Sequence, residues 1–259
     1  MAATYLDAIL AHHRSRAADD KRHLDDLIQV AQACAPTRKF ADAIRATPHL
    51  AVIAEIKRRS PSKGLLKADV RPRDIARAYE KGGASCLSVL TDETHFDGSV
   101  SDLREARDAC ALPVLRKDFT VDERDVCDAR IMGADCVLLI AAALSTQQLT
   151  EYLALADFLD IDALVEVHDE TEMYAALTAG AAVIGVNQRD LVTFSVDHDR
   201  AVRMGAAIPD HCVKVAESGI RGAHDALALR EAGYHAVLVG EHLMTSDDPA
   251  RAVTELCVR

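Results

Sequence analysis

The stretch Ala51 to Gly64, AVIAEIKRRSPSKG, runs from apolar residues into a Glu, a cluster of cations and a Ser-Pro turn. Read as a strand, its side chains alternate between faces. Ile53, Glu55 and Lys57 then share one face, and a carboxylate and an ammonium stand side by side at the C-terminal end. The design recurs along the chain. PVLRKDF puts Leu115, Lys117 and Phe119 together, and ALVEVHDE does so for Leu164, Glu166 and His168. In VIGVNQRD, Asn187 follows Val183 and Gly185; in VKVAESG, Glu217 follows Val213 and Val215; AVLVGEHLM ends in Gly240 and Glu241. A single Lys or Glu at a strand end is ordinarily a solvated loop residue. Two lysines, three glutamates and an asparagine of matching parity are a different matter. Buried charges must be paired or used, and groups crowded in this way acquire pKa values suited to proton transfer. Lys214 has the opposite parity and is expected to snorkel along the outside.

The elements that must position these groups show an order of their own. Four junctions pass from a helix through Gly directly into an apolar strand: GGASCLSVL, MGADCVLLI, AGAAVIGVN and AGYHAVLVG. Glycine just past a helix suits the left-handed C′ position. The glycines Gly83, Gly133, Gly180 and Gly233 lie 50, 47 and 53 residues apart, each interval long enough for two strand–helix units. Between the junctions fall four further strands, Ala51 to Lys57, Pro113 to Lys117, Ala163 to Val167 and Cys212 to Glu217. Ser145 with Gln148 and Asp169 with Glu172 have capping-box spacing, and Asp248-Pro249 starts a last helix. Runs such as CVLLIAA are apolar on both faces, as strands covered by helices are. Such alternation builds either an open doubly wound sheet or a closed barrel. Eight units and no GxGxxG after the first strand favour a single (β/α)₈ TIM barrel domain over residues 1–259, of which 1–50 is an N-terminal helical extension broken at Pro36 and Pro48.

The chain has 259 residues and a net charge of −11, which argues against nucleic acid or an anionic membrane as partner. Lys57, Arg58, Arg59, Lys63 and Lys67 make one segment locally basic, which suits a small anionic ligand. The seven cysteines form no CxxC pair and read as reduced core thiols of a cytoplasmic protein. The N-terminus lacks a secretory pattern, and no apolar run approaches a membrane span.

Barrels often hold a phosphate between the loops after strands seven and eight and a short extra helix. Ser218-Gly219 and Gly240-Glu241, the latter opening HLMTS, stand at those places, and Ser60-Pro61-Ser62 is placed to close the site from the other side. Glu166 and His168 share a face without a third ligand at recognisable spacing, so no metal is assigned. His12-His13, His198 and His211 read as surface or turn residues. With no GxSxG or Cys/His signature, acid–base chemistry on a bound anion remains.

Taken in order, IAEIKRRSPSKG, LSVLTDETHFDGS, PVLRKDF, LVEVHDE, IGVNQRDL, VAESGI and VLVGEHLM resemble the indole-3-glycerol phosphate synthases from Ala51 to the C-terminus. The resemblance implies a (β/α)₈ barrel that closes the indole ring of 1-(2-carboxyphenylamino)-1-deoxyribulose 5-phosphate, releasing CO₂ and water without metal or organic cofactor. It implies Lys117 as general acid at the substrate ketone and Glu166 as acid/base in dehydration. It gives Lys57, oriented by Glu55, to the aryl carboxylate and to a later proton transfer. Ser60, Ser218, Gly219, Gly240 and Glu241 match the phosphate region. Phe96, Phe119 and Leu238 flank the ring, and Asn187, Arg189 and Glu217 order the sugar hydroxyls and the charged network. No obligate protein partner is inferred. The chain departs from the family at His95, where an aromatic residue is usual, at Asp97, where an amide is common, and at Gln188, where Asn is usual. Two other readings set beside this one are another metal-free, phosphate-binding barrel, such as the isomerase of the preceding pathway step, and a non-catalytic scaffold.

Overall fold

The computed structural model describes residues 5–60, 63–67, 69–190 and 195–259. Met1 to Thr4, the Pro61-Ser62 part of the basic turn, Ala68 and the segment 191–194 lie outside the described residues. Eight parallel strands close into a barrel: β1 (Ala51–Ile56), β2 (Cys86–Leu90), β3 (Val114–Lys117), β4 (Cys136–Ile140), β5 (Asp162–Val167), β6 (Val183–Asn187), β7 (Val213–Glu217) and β8 (Ala236–Val239). Each strand pairs with its sequence neighbours, and β1 closes the ring by pairing with both β8 and β2. This is the (β/α)₈ architecture expected from the sequence.

The helix ends that precede strands follow from local chemistry. Gly83, Gly133, Gly180 and Gly233 have φ of +92°, +96°, +91° and +86°. Residues with a Cβ adopt this region at a cost, so glycine ends the helix and releases the chain into the next strand. Ser145 and Gln148 form the reciprocal capping box. Asp169 caps the helix Glu170–Thr178 through the Glu172 amide, but no reciprocal bond forms. The Glu172 carboxylate instead accepts from the His168 backbone amide at 2.7 Å and sits 3.0 Å from the His168 ring.

The N-terminal residues wrap the barrel from its mouth to its base. The helix Tyr5–Asp19 crosses the mouth, where Ile9, Leu10 and His13 are buried. Leu24–Gln32 lies against Glu123–Met132. Phe40–Arg45 reaches the base, with Phe40 and Ile44 buried in the common core. Arg38 latches this segment by donating to the carbonyls of Arg107, Cys110 and Leu112 at 2.8 to 3.2 Å. Its amide donates to Asp135, which also binds the Arg107 guanidinium and the Val114 amide.

Lys214, the residue of odd parity, points outward. Its Nζ reaches the Gly205 carbonyl at 3.1 Å and Asp210 at 3.2 Å on the helical shell. All seven cysteines are free thiols, and burial pushes the thiols of Cys86 and Cys136 well above their ordinary value. Among the described residues no helix is long and apolar enough to cross a membrane.

Candidate active site

Register brings the polar strand ends to one level. In a parallel ladder paired residues share a face. Ser88 is the partner of Glu55, Gly185 that of Glu166, Glu217 that of Asn187, and Lys117 that of Leu90. The side chains from these rungs converge at the C-terminal mouth on a cavity of about 540 Å³, within the range of small-molecule sites. All fifteen residues singled out from the sequence line this cavity.

At its centre Lys117 Nζ donates to Glu166 Oε2 at 3.1 Å and lies 4.0 Å from Glu217 Oε2. Burial works against the ammonium, but Glu166, Glu217 and Glu55 outweigh it and raise the Lys117 pKa above its ordinary value. Burial likewise raises the Glu166 carboxyl. Lys117, His168 and Asn187 offset this and leave it below the usual carboxylate range. Asn187 donates from Nδ2 to Glu166 Oε1 at 3.1 Å, and its Oδ1 accepts from the Arg189 amide at 3.0 Å, which fixes the amide's direction. His168 Nε2 stands 3.4 Å from Glu166 Oε1. Burial lowers the His168 pKa, but Glu166 and Glu172 push it up to about 10.

Glu217 is treated differently by its surroundings. Burial and the adjacent Glu166 push its carboxyl well above the ordinary value, against the pull of Lys117. Its Oε1 has no hydrogen-bond partner among the described residues. Thus the surroundings move two neighbouring buried carboxyl groups in opposite directions, Glu166 down and Glu217 up.

On the next wall Lys57 Nζ is 2.5 Å from Glu55 Oε1, and Ser88 donates to Glu55 Oε2 at 3.4 Å. The pair rests against Gly240, where a Cβ would lie 2.3 Å from Glu55 Oε1, so only glycine lets β8 end there. Ser218 and Gly219 follow β7 with φ of +69° and +74°. A Cβ at Gly219 would meet Val196 at 2.4 Å. Across this turn Lys63 and Arg189 approach the Glu241 carboxylate at 3.6 and 4.0 Å. Ser60 Oγ accepts from the Lys63 amide at 3.2 Å. Phe96 and Phe119 face each other with ring centroids 6.2 Å apart, and Leu238 completes that side of the cavity.

The structure also supplies lining that sequence reasoning missed. Tyr5, Leu6 and Ile9 of the first helix face the cavity, as do Arg221 and His242 near the phosphate-type turns. That the N-terminal extension is helical is legible, but the docking place of its first helix across the mouth is not. His13, read from sequence as a surface residue, is buried: its Nε2 is 2.8 Å from Asp92 Oδ2. The i, i+4 face shared with Ile9 was the available signal. His95 does not line the cavity; its ring turns to Asp92 at 3.0 Å and meets Tyr5 edge-on.

The family model for indole-3-glycerol phosphate synthase matches residues 6–256. An indole-3-glycerol phosphate synthase 2 of Streptomyces coelicolor is 54% identical over 230 residues, 89% of each chain. The synthase of Polaromonas naphthalenivorans is 46% identical over 256 residues, 97% of each. Among solved structures, a 3-hexulose-6-phosphate synthase aligns with a TM-score of 0.64 at 15% identity, over 81% of this chain and all of that one. The thiamine phosphate pyrophosphorylase of Pyrococcus furiosus aligns with 0.58 at 16%, over 80% and 93%; at such identities the likeness is one of fold. Family match, relatives and barrel agree: the chain belongs to the indole-3-glycerol phosphate synthase family and is a lyase of tryptophan biosynthesis.

Proposed function

We propose that Lys117, Glu166, Lys57 and Glu55 carry the ring closure, decarboxylation and dehydration of 1-(2-carboxyphenylamino)-1-deoxyribulose 5-phosphate at the mouth of this barrel. The supporting observation is the position of the Lys117 ammonium, which projects into the cavity 3.1 Å from the Glu166 carboxyl group and 4.0 Å from that of Glu217.

The substrate is a small molecule with an anion at each end. Its phosphate goes to the Ser218-Gly219 and Gly240-Glu241 turns with Ser60. Its aryl carboxylate goes to Lys57, 2.5 Å from Glu55. Holding both ends folds the flexible chain so that the ring carbon bearing the carboxylate faces the ketone, and such positioning is worth several kcal/mol of barrier. That carbon attacks the carbonyl carbon, and the carbonyl π pair becomes an alkoxide. Lys117 protonates it. The strongly held ammonium is still a sufficient acid here, because an alkoxide is a far stronger base than the carboxylates around it.

The carboxylate then leaves as CO₂ and its bonding pair restores the aromatic ring. Loss of the new hydroxyl, leaving as water with a proton from Lys57, and removal of the adjacent carbon-bound proton by Glu166 complete the indole. Phe96, Phe119 and Leu238 flank the ring through these steps, while Asn187 and Arg189 order the Glu166 carboxylate and the sugar hydroxyls. Indole-chromophore formation from this substrate tests the assignment. Wild-type protein should form it and Lys57→Met should lose it; indole formation indifferent to Lys57 would remove the aryl-carboxylate clamp from the assignment.

A further inference from the structure

Outside the proton-transfer residues, the fold assembles a second polar cluster where the first helix meets the loop after β2. His13 comes from the helix Tyr5–Asp19, and Asp92 and His95 come from the loop and the short helix Glu93–Phe96. His13 Nε2 lies 2.8 Å from Asp92 Oδ2, and His95 Nδ1 lies 3.0 Å from the same oxygen. The three ligand atoms all fall within 4.8 Å of one another. We propose that His13, Asp92 and His95 form a binding site for a borderline divalent cation, Zn²⁺ by preference, which ties the first helix to the rim of the barrel.

The geometry is close to what the ion requires. Tetrahedral Zn²⁺ with bonds near 2.1 Å separates its ligand atoms by about 3.4 Å, so the two close pairs need to open by roughly half an ångström while the two histidine nitrogens, within 4.8 Å of each other, settle to the same spacing. Asp92 is prepared for the role. Its Oδ1 accepts the His95 backbone amide at 2.6 Å as the helix cap, which leaves Oδ2 for the ion. Ligating carboxylates are held in this way by a second hydrogen bond. His13 and Asp92 are buried, while the His95 side chain keeps 17% of its surface exposed, so water has access to a fourth position.

Charge and ligand type narrow the occupant. Asp118 stands 3.8 Å from His13 Nε2, so a second carboxylate lies close to the cation; Arg116, whose guanidinium bonds Asp118, spends its charge there. Two imidazoles and a carboxylate suit Zn²⁺ or Co²⁺ over Mg²⁺ and Ca²⁺, which take oxygen ligands. The ion has no part in the proton transfers. Tyr5, Leu6 and Ile9 of the same helix line the cavity, so pinning the helix shapes that wall.

The test uses the full chain, stripped with a chelator and titrated with Co²⁺ at pH 7.5. The expected result is one equivalent bound, with the intense visible bands of a four-coordinate ion, displaced by Zn²⁺ and untouched by excess Mg²⁺. Zn²⁺ should also slow amide exchange across Tyr5–Asp19. His95→Ala removes a half-buried ligand without cutting into the core and should weaken binding by more than about tenfold; His13→Gln should do the same. Absence of saturable Co²⁺ binding, or full affinity retained in His95→Ala, would overturn the proposal.

Discussion

Gly185 offers the sharpest test of how the centre is packed. It lies on β6 one inward position before Asn187, and a Cβ built there would sit 2.0 Å from Glu217 Oε1 and 3.2 Å from Leu164 Cδ1. A carbon and an oxygen do not approach within about 3 Å, and a close-packed interior offers little room to yield. In Gly185→Ala the Glu217 carboxyl must therefore retreat by about 1 Å or more, which changes its 4.0 Å approach to Lys117. Displacements of that size at a reacting centre cost about a hundredfold in rate. Overpacking of a core costs about 1–3 kcal/mol, and for a chain of this size that lowers Tm by roughly 2–12 °C. Two measurements check this: steady-state indole formation and a thermal melt. A double variant separates the causes, because Glu217→Ala removes the atoms that the methyl strikes. In that background most of the Tm penalty of Gly185→Ala should vanish. A kcat within about threefold of wild type, or an equal Tm penalty in both backgrounds, would refute the reasoning.

Three further outcomes are expected. Lys117→Met should lower kcat by about 10²–10⁴-fold or more while the chain stays folded, because the carboxylates it leaves can take up a proton; near-normal indole formation would sink the general-acid role. His168→Gln should destabilise the protein most at low pH. The folded pKa of His168, near 10, exceeds its ordinary 6.5, so its contribution is complete below about pH 6.5 and fades as pH rises through 10. Urea midpoints of wild type and variant at pH 6, 8 and 10 should converge, and a constant gap would count against the ion pair. Asp135→Ala leaves the Arg38 and Val114 amides and the Arg107 guanidinium without their buried acceptor. A loss of about 3–5 kcal/mol follows, read as a Tm drop of roughly 6–20 °C; a drop under about 2 °C would show that water or a neighbouring acceptor takes Asp135's place.

What could be read from the sequence was local or periodic. Parity placed Glu55 with Lys57, and Glu166 with Leu164 and His168, because a strand's alternation is set by its own backbone. The glycines at 83, 133, 180 and 233 were legible because a left-handed residue is needed wherever a helix turns directly into a strand. Partnerships across the chain left no such trace. His13 finds Asp92 at a separation of 79 residues, and the anchoring of Arg38 on Asp135 spans 97; both depend on where the N-terminal helices settle on a finished barrel. Glu172 shows a local rule losing to a tertiary one. Its spacing from Asp169 fits a capping box, yet its carboxylate turns to His168, whose second nitrogen faces Glu166. A reciprocal cap would satisfy one amide, whereas the observed arrangement satisfies the His168 amide and also supports a charged ring.

The charge arrangement explains how an acidic chain can receive an anion. Near the reacting atoms the cations among the described residues are already engaged: Lys57 with Glu55, Lys117 with Glu166, and His168 with Glu166 and Glu172. Glu217, its carboxyl pushed up by burial and by Glu166, is disfavoured as a further negative charge in this set. The centre is thus close to neutral and offers little pull at a distance. Attraction has to come from the rim, where Lys63, more than half exposed, stands 3.6 Å from the half-exposed carboxylate of Glu241. Such an exposed pair is weak, so a phosphate seated at the neighbouring turns of the proposed assignment can draw Lys63 away from Glu241 at small cost. The inner pairs are buried and lose their partners only at a high one. Under the proposed assignment anchoring at the rim therefore comes first, and the bound phosphate then holds the aryl carboxylate at a concentration high enough to compete with Glu55 for Lys57.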